Sequence, residues 1–265
     1  MDLSEIDNRT VVWLTGASSG IGRELCLELV AQGHRVIASG RNEQALAKLA
    51  AQSDRVIPLA FDIADPNAVA QAGHKLAELT SHLDQVIINA GSCEYLKFPE
   101  PDWNATTRVM AINYSGAVDC IRIALPLLKK ASGRGHIVGI ISQVVFAPFA
   151  QAEAYGASKA ALSYFLDSLR VDLADSLDVT SVFPGFVKTP LTDRNHFSMP
   201  FIVSAEDAAK RILASIKKRP RRFIFPKRLH WLLKLSIICP GLWQKLMVAD
   251  NKANNKDNIP AREKN

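Results

Sequence analysis

A chain of 265 residues with 48% hydrophobic and 22% charged residues can bury a sizeable core, which excludes disorder except at the ends. The net charge of +6 is uneven: Ala208 to Ala249 holds eleven Lys and Arg and no Asp or Glu, so no nucleic-acid partner is expected for the domain as a whole. The four cysteines (Cys26, Cys93, Cys120, Cys239) lie far apart without CxxC or metal-ligand spacing, which argues against a metal site and fits reduced thiols in a cytoplasmic protein.

Met1 to Thr10 is polar, carries Asp2, Glu5 and Asp7, and lacks the basic start and apolar run of a signal peptide. Beyond it, strand-like and helix-like segments alternate. Val11–Leu14, Arg35–Ser39, Val56–Phe61, Val86–Ile88, His136–Ile141, Val179–Phe183 and Arg222–Phe225 read as strands, several apolar on both faces. Ile21–Gln32, Glu43–Gln52, Pro66–Leu79, Thr106–Lys130, Ala154–Ser176 and Ala205–Lys217 read as helices. Asp65-Pro66 and Ser204 supply caps. This alternation predicts an α/β fold, a doubly wound parallel sheet of about seven strands in three α/β/α layers. No linker divides the chain. The expected organisation is one domain with a core over about 10–226, a basic and apolar extension over about 227–249, and a polar mobile tail from about Asp250 to the end.

The first strand runs into Thr15-Gly16-Ala17-Ser18-Ser19-Gly20-Ile21-Gly22, which opens a helix. Such a turn lets backbone approach a pyrophosphate while the helix N-terminus offers N–H groups and a positive dipole end. Its spacing is TGxxxGxG rather than GxGxxG. In this the chain resembles the short-chain dehydrogenases/reductases, over roughly Thr10 to Pro226. The resemblance implies a Rossmann-type fold and a nicotinamide cofactor held by Gly16, Ser18, Ser19, Gly20, Ile21 and Gly22. After the second strand, Gly40 stands where the family carries an acid for the adenosine ribose, and Arg41 follows. A carboxylate would repel a 2′-phosphate whereas a guanidinium pairs with it, so NADP(H) is the preferred cofactor, with NAD(H) possible. The alternative is a solvated arginine at a strand end. Asp62 matches the residue beside the adenine, and Asn89-Ala90-Gly91 matches the family's turn after the fourth strand. Ile88 replaces a second asparagine there, read as altered sheet packing.

Tyr155-Gly156-Ala157-Ser158-Lys159 places a phenol and an ammonium four residues apart, hence on one helix face. A free phenol titrates near 10, too high for a base at neutral pH, and a neighbouring cation would lower it. Ser142 ends the fifth strand, and its hydroxyl can polarise a carbonyl. Each feature alone is as easily structural. By resemblance, Tyr155 is the general acid/base, Lys159 lowers its pKa and holds the ribose, Ser142 polarises the carbonyl, and Asn113 holds a water for a proton relay. Pro184, Gly185, Val187 and Thr189 complete the cofactor site. The implied activity is hydride transfer between cofactor and a carbonyl or alcohol. The competing reading is a non-catalytic dinucleotide sensor or membrane-associated protein.

Cys93, Tyr95, Val144, Val145, Phe146, Phe149, Phe186 and a lid over Leu191–Val203, with Phe197, Met199 and Phe201, are candidates to line a pocket for an apolar substrate, or simply to fill the core. Lys227 to Val248 combines lysines and arginines with Trp231, Trp243 and many aliphatic residues. It is a pocket flap, a subunit contact or an interfacial helix contacting a membrane peripherally, with packing on protein favoured and both tryptophans expected against apolar surface. Family resemblance implies a homodimer or homotetramer built through the two longest helices.

Overall fold

In the computed structural model, which describes residues 10–194 and 199–256, seven strands form one wholly parallel sheet. The chain runs β1 (Val11–Thr15), α1 (Gly20–Ala31), β2 (Arg35–Gly40), α2 (Glu43–Ala50), β3 (Val56–Ala60), α3 (Pro66–Leu79) and β4 (Gln85–Ile88). It continues through α4 (Asn104–Met110), α5 (Gly116–Leu128), β5 (Gly135–Ile140), α6 (Glu153–Asp172) and β6 (Leu177–Pro184). A short parallel pair, β7 (Val187–Lys188) and β8 (Val203–Ser204), precedes α7 (Ala205–Ile216) and β9 (Arg222–Phe225). Three helices follow: α8 (Lys227–Leu233), α9 (Leu235–Ile238) and α10 (Pro240–Lys256).

The strand order is β3-β2-β1-β4-β5-β6-β9. Both faces of the sheet are covered because its strands are apolar on both sides. Along β1, Val11 and Trp13 enter the core shared with α3, α5 and α6, while Val12 and Leu14 enter the core shared with α1, α2 and α7. The three-layer expectation holds. Asp65 caps α3 by accepting from the Asn67 N–H, and Ser204 caps α7 by accepting from the Asp207 N–H. Ile88 is fully buried in the first core, consistent with a packing role at that position. Since β1 pairs with both β2 and β4, the chain reverses its winding between β1 and β4, and a crevice opens at the carboxyl ends of those strands.

Two expectations are corrected. The helix read as Thr106–Lys130 is broken into α4 and α5 by a π turn over Ala111–Ser115. Its extra residue turns Asn113 inward, where the side chain is fully buried and hydrogen-bonded. The polar tail expected from Asp250 is helical as far as Lys256, since each residue added to an existing helix gains a hydrogen bond without a new nucleus. Residues 1–9 and 257–265, and Phe197 of the expected lid, lie outside the described residues.

Candidate active site

The crevice begins where two loops are locked together. The N–H groups of Asn89 and Ala90 both donate to Thr15 Oγ1, at 3.0 and 3.1 Å. Asn89 Nδ2 in turn donates to the carbonyls of Thr15 and Gly16, at 3.1 and 3.2 Å. Gly16 has φ +69°, and a Cβ there would sit 2.8 Å from Ala90 Cα, so only glycine permits this approach. Ser19, the N-cap of α1, spends no side-chain oxygen on capping, so it leaves the first N–H groups of the helix to other partners.

A cavity of about 290 Å³ extends from this turn to the end of β5. It is lined by Gly16, Ser18, Ser19, Gly20, Ile21, Arg41, Asn89, Ala90 and Gly91 at one end, and by Ser142, Tyr155, Lys159, Pro184, Gly185, Val187 and Thr189 at the other. Gly22, Asp62 and Asn113 are not on its wall. Gly22 packs behind Gly16, whose carbonyl lies 2.0 Å from where a Gly22 Cβ would be. The sequence left out Ser39, Phe61, Ile63 and Ile112, which also line the cavity, as does Thr192 of the expected lid. Ser39 and Phe61 could have been found from their places at the ends of the second and third strands.

The catalytic candidates converge at the inner end. Tyr155 and Lys159 stand one turn apart on α6, and Tyr155 and Ser142 line the cavity together, Ser142 near enough to act on the phenol. Ser142 Oγ also accepts from the Val144 N–H at 3.2 Å, the first turn of a 3₁₀ segment that sequence reading did not anticipate. Lys159 is 4% exposed, and its Nζ donates to the Ile140 carbonyl at 2.9 Å. Asn113 bridges the Gly91–Ser92 turn to α6: Nδ2 donates to Ser92 O at 2.8 Å and Ser158 Oγ at 2.9 Å, while Oδ1 accepts from Ser92 N at 2.7 Å. A Cβ on Gly91 would lie 3.3 Å from both Lys159 Nζ and Asn113 Oδ1, so this glycine keeps the space between them open.

Burial controls the electrostatics. It pulls the Lys159 ammonium down to about 8. Burial also pushes the Tyr155 phenol above its ordinary value, the nearby Cys93 adds to the rise, and the Ser142 side chain opposes it. The expected lowering of the phenol by Lys159 is therefore not a property of the chain alone. Desolvation is the largest cause of the rise, and Lys159 is itself desolvated.

At the outer end, Arg41 Nη1 approaches Asp62 Oδ2 at 3.8 Å, both side chains substantially exposed. Asp62 Oδ1 accepts from the Ala64 N–H, making Asp62 a turn residue as well. Such an exposed pair is worth roughly 0–1 kcal/mol and leaves the guanidinium able to change partner.

The candidates for substrate lining divide. Phe146, Phe149 and Phe186 pack with Ala147, Leu229, Leu233 and Trp243 in a separate small core. Here the core-filling alternative holds, because the C-terminal helices supply the other half of that cluster. Trp243 is 5% exposed and its Nε1 donates to Pro148 O at 2.8 Å, whereas Trp231 is 66% exposed with Lys234 Nζ 4.3 Å above its ring. The expectation that both tryptophans lie against apolar surface is thus corrected for Trp231, which sits on the outer side of α8. Cys93 lies close enough to Tyr155 and Lys159 for their charges to interact.

The family described as short chain dehydrogenase matches residues 10–198. An uncharacterized oxidoreductase of Myxococcus xanthus is 34% identical over 244 residues, covering 90% of this chain and 96% of that protein. Dehydrogenase/reductase SDR family member 7B of Bos taurus is 30% identical over 271 residues, covering 93% and 82%. The 11-beta-hydroxysteroid dehydrogenase-like 2 of Arabidopsis thaliana is 30% identical, covering 89% and 80%. Among solved structures, a short chain dehydrogenase from Burkholderia cenocepacia in complex with NADP superposes with a TM-score of 0.77 at 25% identity, covering 90% of this chain and 97% of that one.

Proposed function

The chain belongs to the short-chain dehydrogenase/reductase family, oxidoreductases acting on CH–OH groups, and we propose that it interconverts an apolar ketone or aldehyde and its alcohol with NADP(H). The observation that carries this reading is that Ser142, Tyr155 and Lys159, the last two one helical turn apart, line the same cavity as the glycine turn. Gly16, Ser18 to Ile21 and Gly91 would hold the dinucleotide, and Arg41 the 2′-phosphate. A bound nicotinamide supplies the hydride in reduction and accepts it in oxidation.

The chain's own groups handle the proton. At neutral pH the Tyr155 phenol carries its proton, as any phenol does, and is placed to donate it to a carbonyl oxygen in reduction, while its raised pKa makes it the weaker acid. Ser142 donates its Oγ–H to the same oxygen and shares the developing charge. In oxidation the phenol must first lose its proton, and Lys159 is the cation placed to favour that. Asn113 Oδ1 and Lys159 Nζ both border the space that Gly91 keeps open, which supports a relay that returns the proton through them. Relatives named as hydroxysteroid dehydrogenases support a bulky apolar substrate. Exposed Tyr164 and Val171 on α6 support self-association through that helix.

The test is a panel of aldehydes, ketones and secondary alcohols with NADPH or NADP⁺, read by nicotinamide absorbance. Turnover is expected on at least one apolar compound, and Tyr155→Phe should lower it by about two to four powers of ten with cofactor affinity kept. A variant that turned over like the parent would overturn the assignment.

A further inference from the structure

The C-terminal helices have two unlike faces. The inner face is fastened: Leu229, Leu233 and Trp243 are buried against Ala147, and Ser236 Oγ donates to Phe146 O at 2.9 Å. The outer face is apolar and uncovered. Of the thirteen large hydrophobic side chains exposed among the described residues, seven fall within residues 231–248: Trp231, Leu232, Ile237, Ile238, Leu242, Leu246 and Val248. Scattered exposed side chains need no explanation, whereas a cluster on one helical unit does.

The cluster has a tip. Every residue from Ile237 to Leu242 is exposed and uncharged, and this run lies where the helical axis bends by 113° between the α8–α9 unit and α10. Lys234 and Lys245 flank it, with Lys227 and Arg228 exposed farther back. No single helix among the described residues is long and apolar enough to cross a membrane, and the bend turns the unit back. Charge decides the occupant. From Ala208 to Ala249 there is no acidic residue, so a second copy meeting this face would set cation against cation. An anionic lipid surface complements both features at once: apolar residues enter the acyl boundary while lysines reach the phosphates. Trp231, with Lys234 over its ring, has the amphipathic character of residues at such a boundary.

We propose that this helical unit docks the protein peripherally on anionic bilayers through the Ile237–Leu242 tip. The test is co-sedimentation of the full chain with vesicles of phosphatidylcholine alone or mixed with phosphatidylglycerol, at low and high salt. Binding should require phosphatidylglycerol and weaken roughly tenfold or more at high salt. The double variants Ile237→Ser/Ile238→Ser and Lys234→Gln/Lys245→Gln should each weaken it by about tenfold, with thermal melts nearly unchanged because Ile237, Ile238 and Lys245 are exposed and Lys234 meets the exposed Trp231 ring through its ammonium. Equal binding to both vesicle types, no binding to either, or binding kept by Ile237→Ser/Ile238→Ser would overturn the proposal. So would a concentration-dependent dimer that this variant breaks while the parent ignores vesicles, which would assign the face to a second copy.

Discussion

Replacing Lys159 with methionine keeps the length of the side chain and removes its charge, and the structure sets the size of the effect. Burial lowers the ammonium from an ordinary 10.5 to about 8. At about 1.4 kcal/mol for each tenfold change in the proton equilibrium, holding the charged form inside the fold costs roughly 3 kcal/mol at pH 7. The variant also loses the bond to the Ile140 carbonyl, which offsets about 1–2 kcal/mol of that. Lys159→Met should therefore be more stable than the parent by about 1–2 kcal/mol at pH 7, while losing most turnover. The folded pKa lies below the unfolded one, so between about 8 and 10.5 the unfolded chain holds more protons and parent stability rises with pH. The advantage of the variant should shrink across that window. Urea unfolding of both proteins at neutral and alkaline pH measures it. A variant less stable than the parent at pH 7, or a difference flat in pH, would refute the reasoning.

Arg41→Ala should weaken NADPH binding by about tenfold to a hundredfold and leave NADH almost unchanged, measured by fluorescence titration. Equal losses for both would leave Arg41 as a partner of Asp62 only. Gly16→Ala, forced into φ +69° and against Ala90, should destabilise by about 1–3 kcal/mol and weaken both cofactors in parallel. Trp243→Ala removes a buried indole and strands the Pro148 carbonyl. Limited proteolysis should then cut first within residues 227–249, with cofactor affinity retained; an unchanged cleavage pattern would count against the packing described.

Much of the site could be read before any coordinates, because its parts are local. The glycine turn, the Tyr155–Lys159 spacing and the capped starts of α3 and α7 each depend on residues within a few positions of one another. The ends of β9 and α3 fell where the pattern put them. What was missed depends on distant partners. The π turn that buries Asn113 is stabilised by Ser92 and Ser158, 21 and 45 residues away in sequence. No periodicity in the helix itself records them.

By itself the sequence determined the sheet and its winding, since alternating apolar strands and amphipathic helices have few ways to cover both sheet faces, and it named part of the crevice wall. Only the tertiary structure decided which way the charges lean and where the aromatic residues go. Phe146 and Trp243 carry the same apolar signal as Trp231, yet Trp243 is buried in one cluster with Phe146 packed against it, and Trp231 faces outward. The bond from Trp243 to Pro148 spans 95 residues. Likewise a lysine four residues from a tyrosine promises a lowered phenol, but burial acts on both groups together and reverses the sign in the folded chain. Hydrophobic pattern tells a residue to leave water, and electrostatic pattern names a partner. How much water and how many neighbours remain is a property of the packed interior, which exists only once the segments have met.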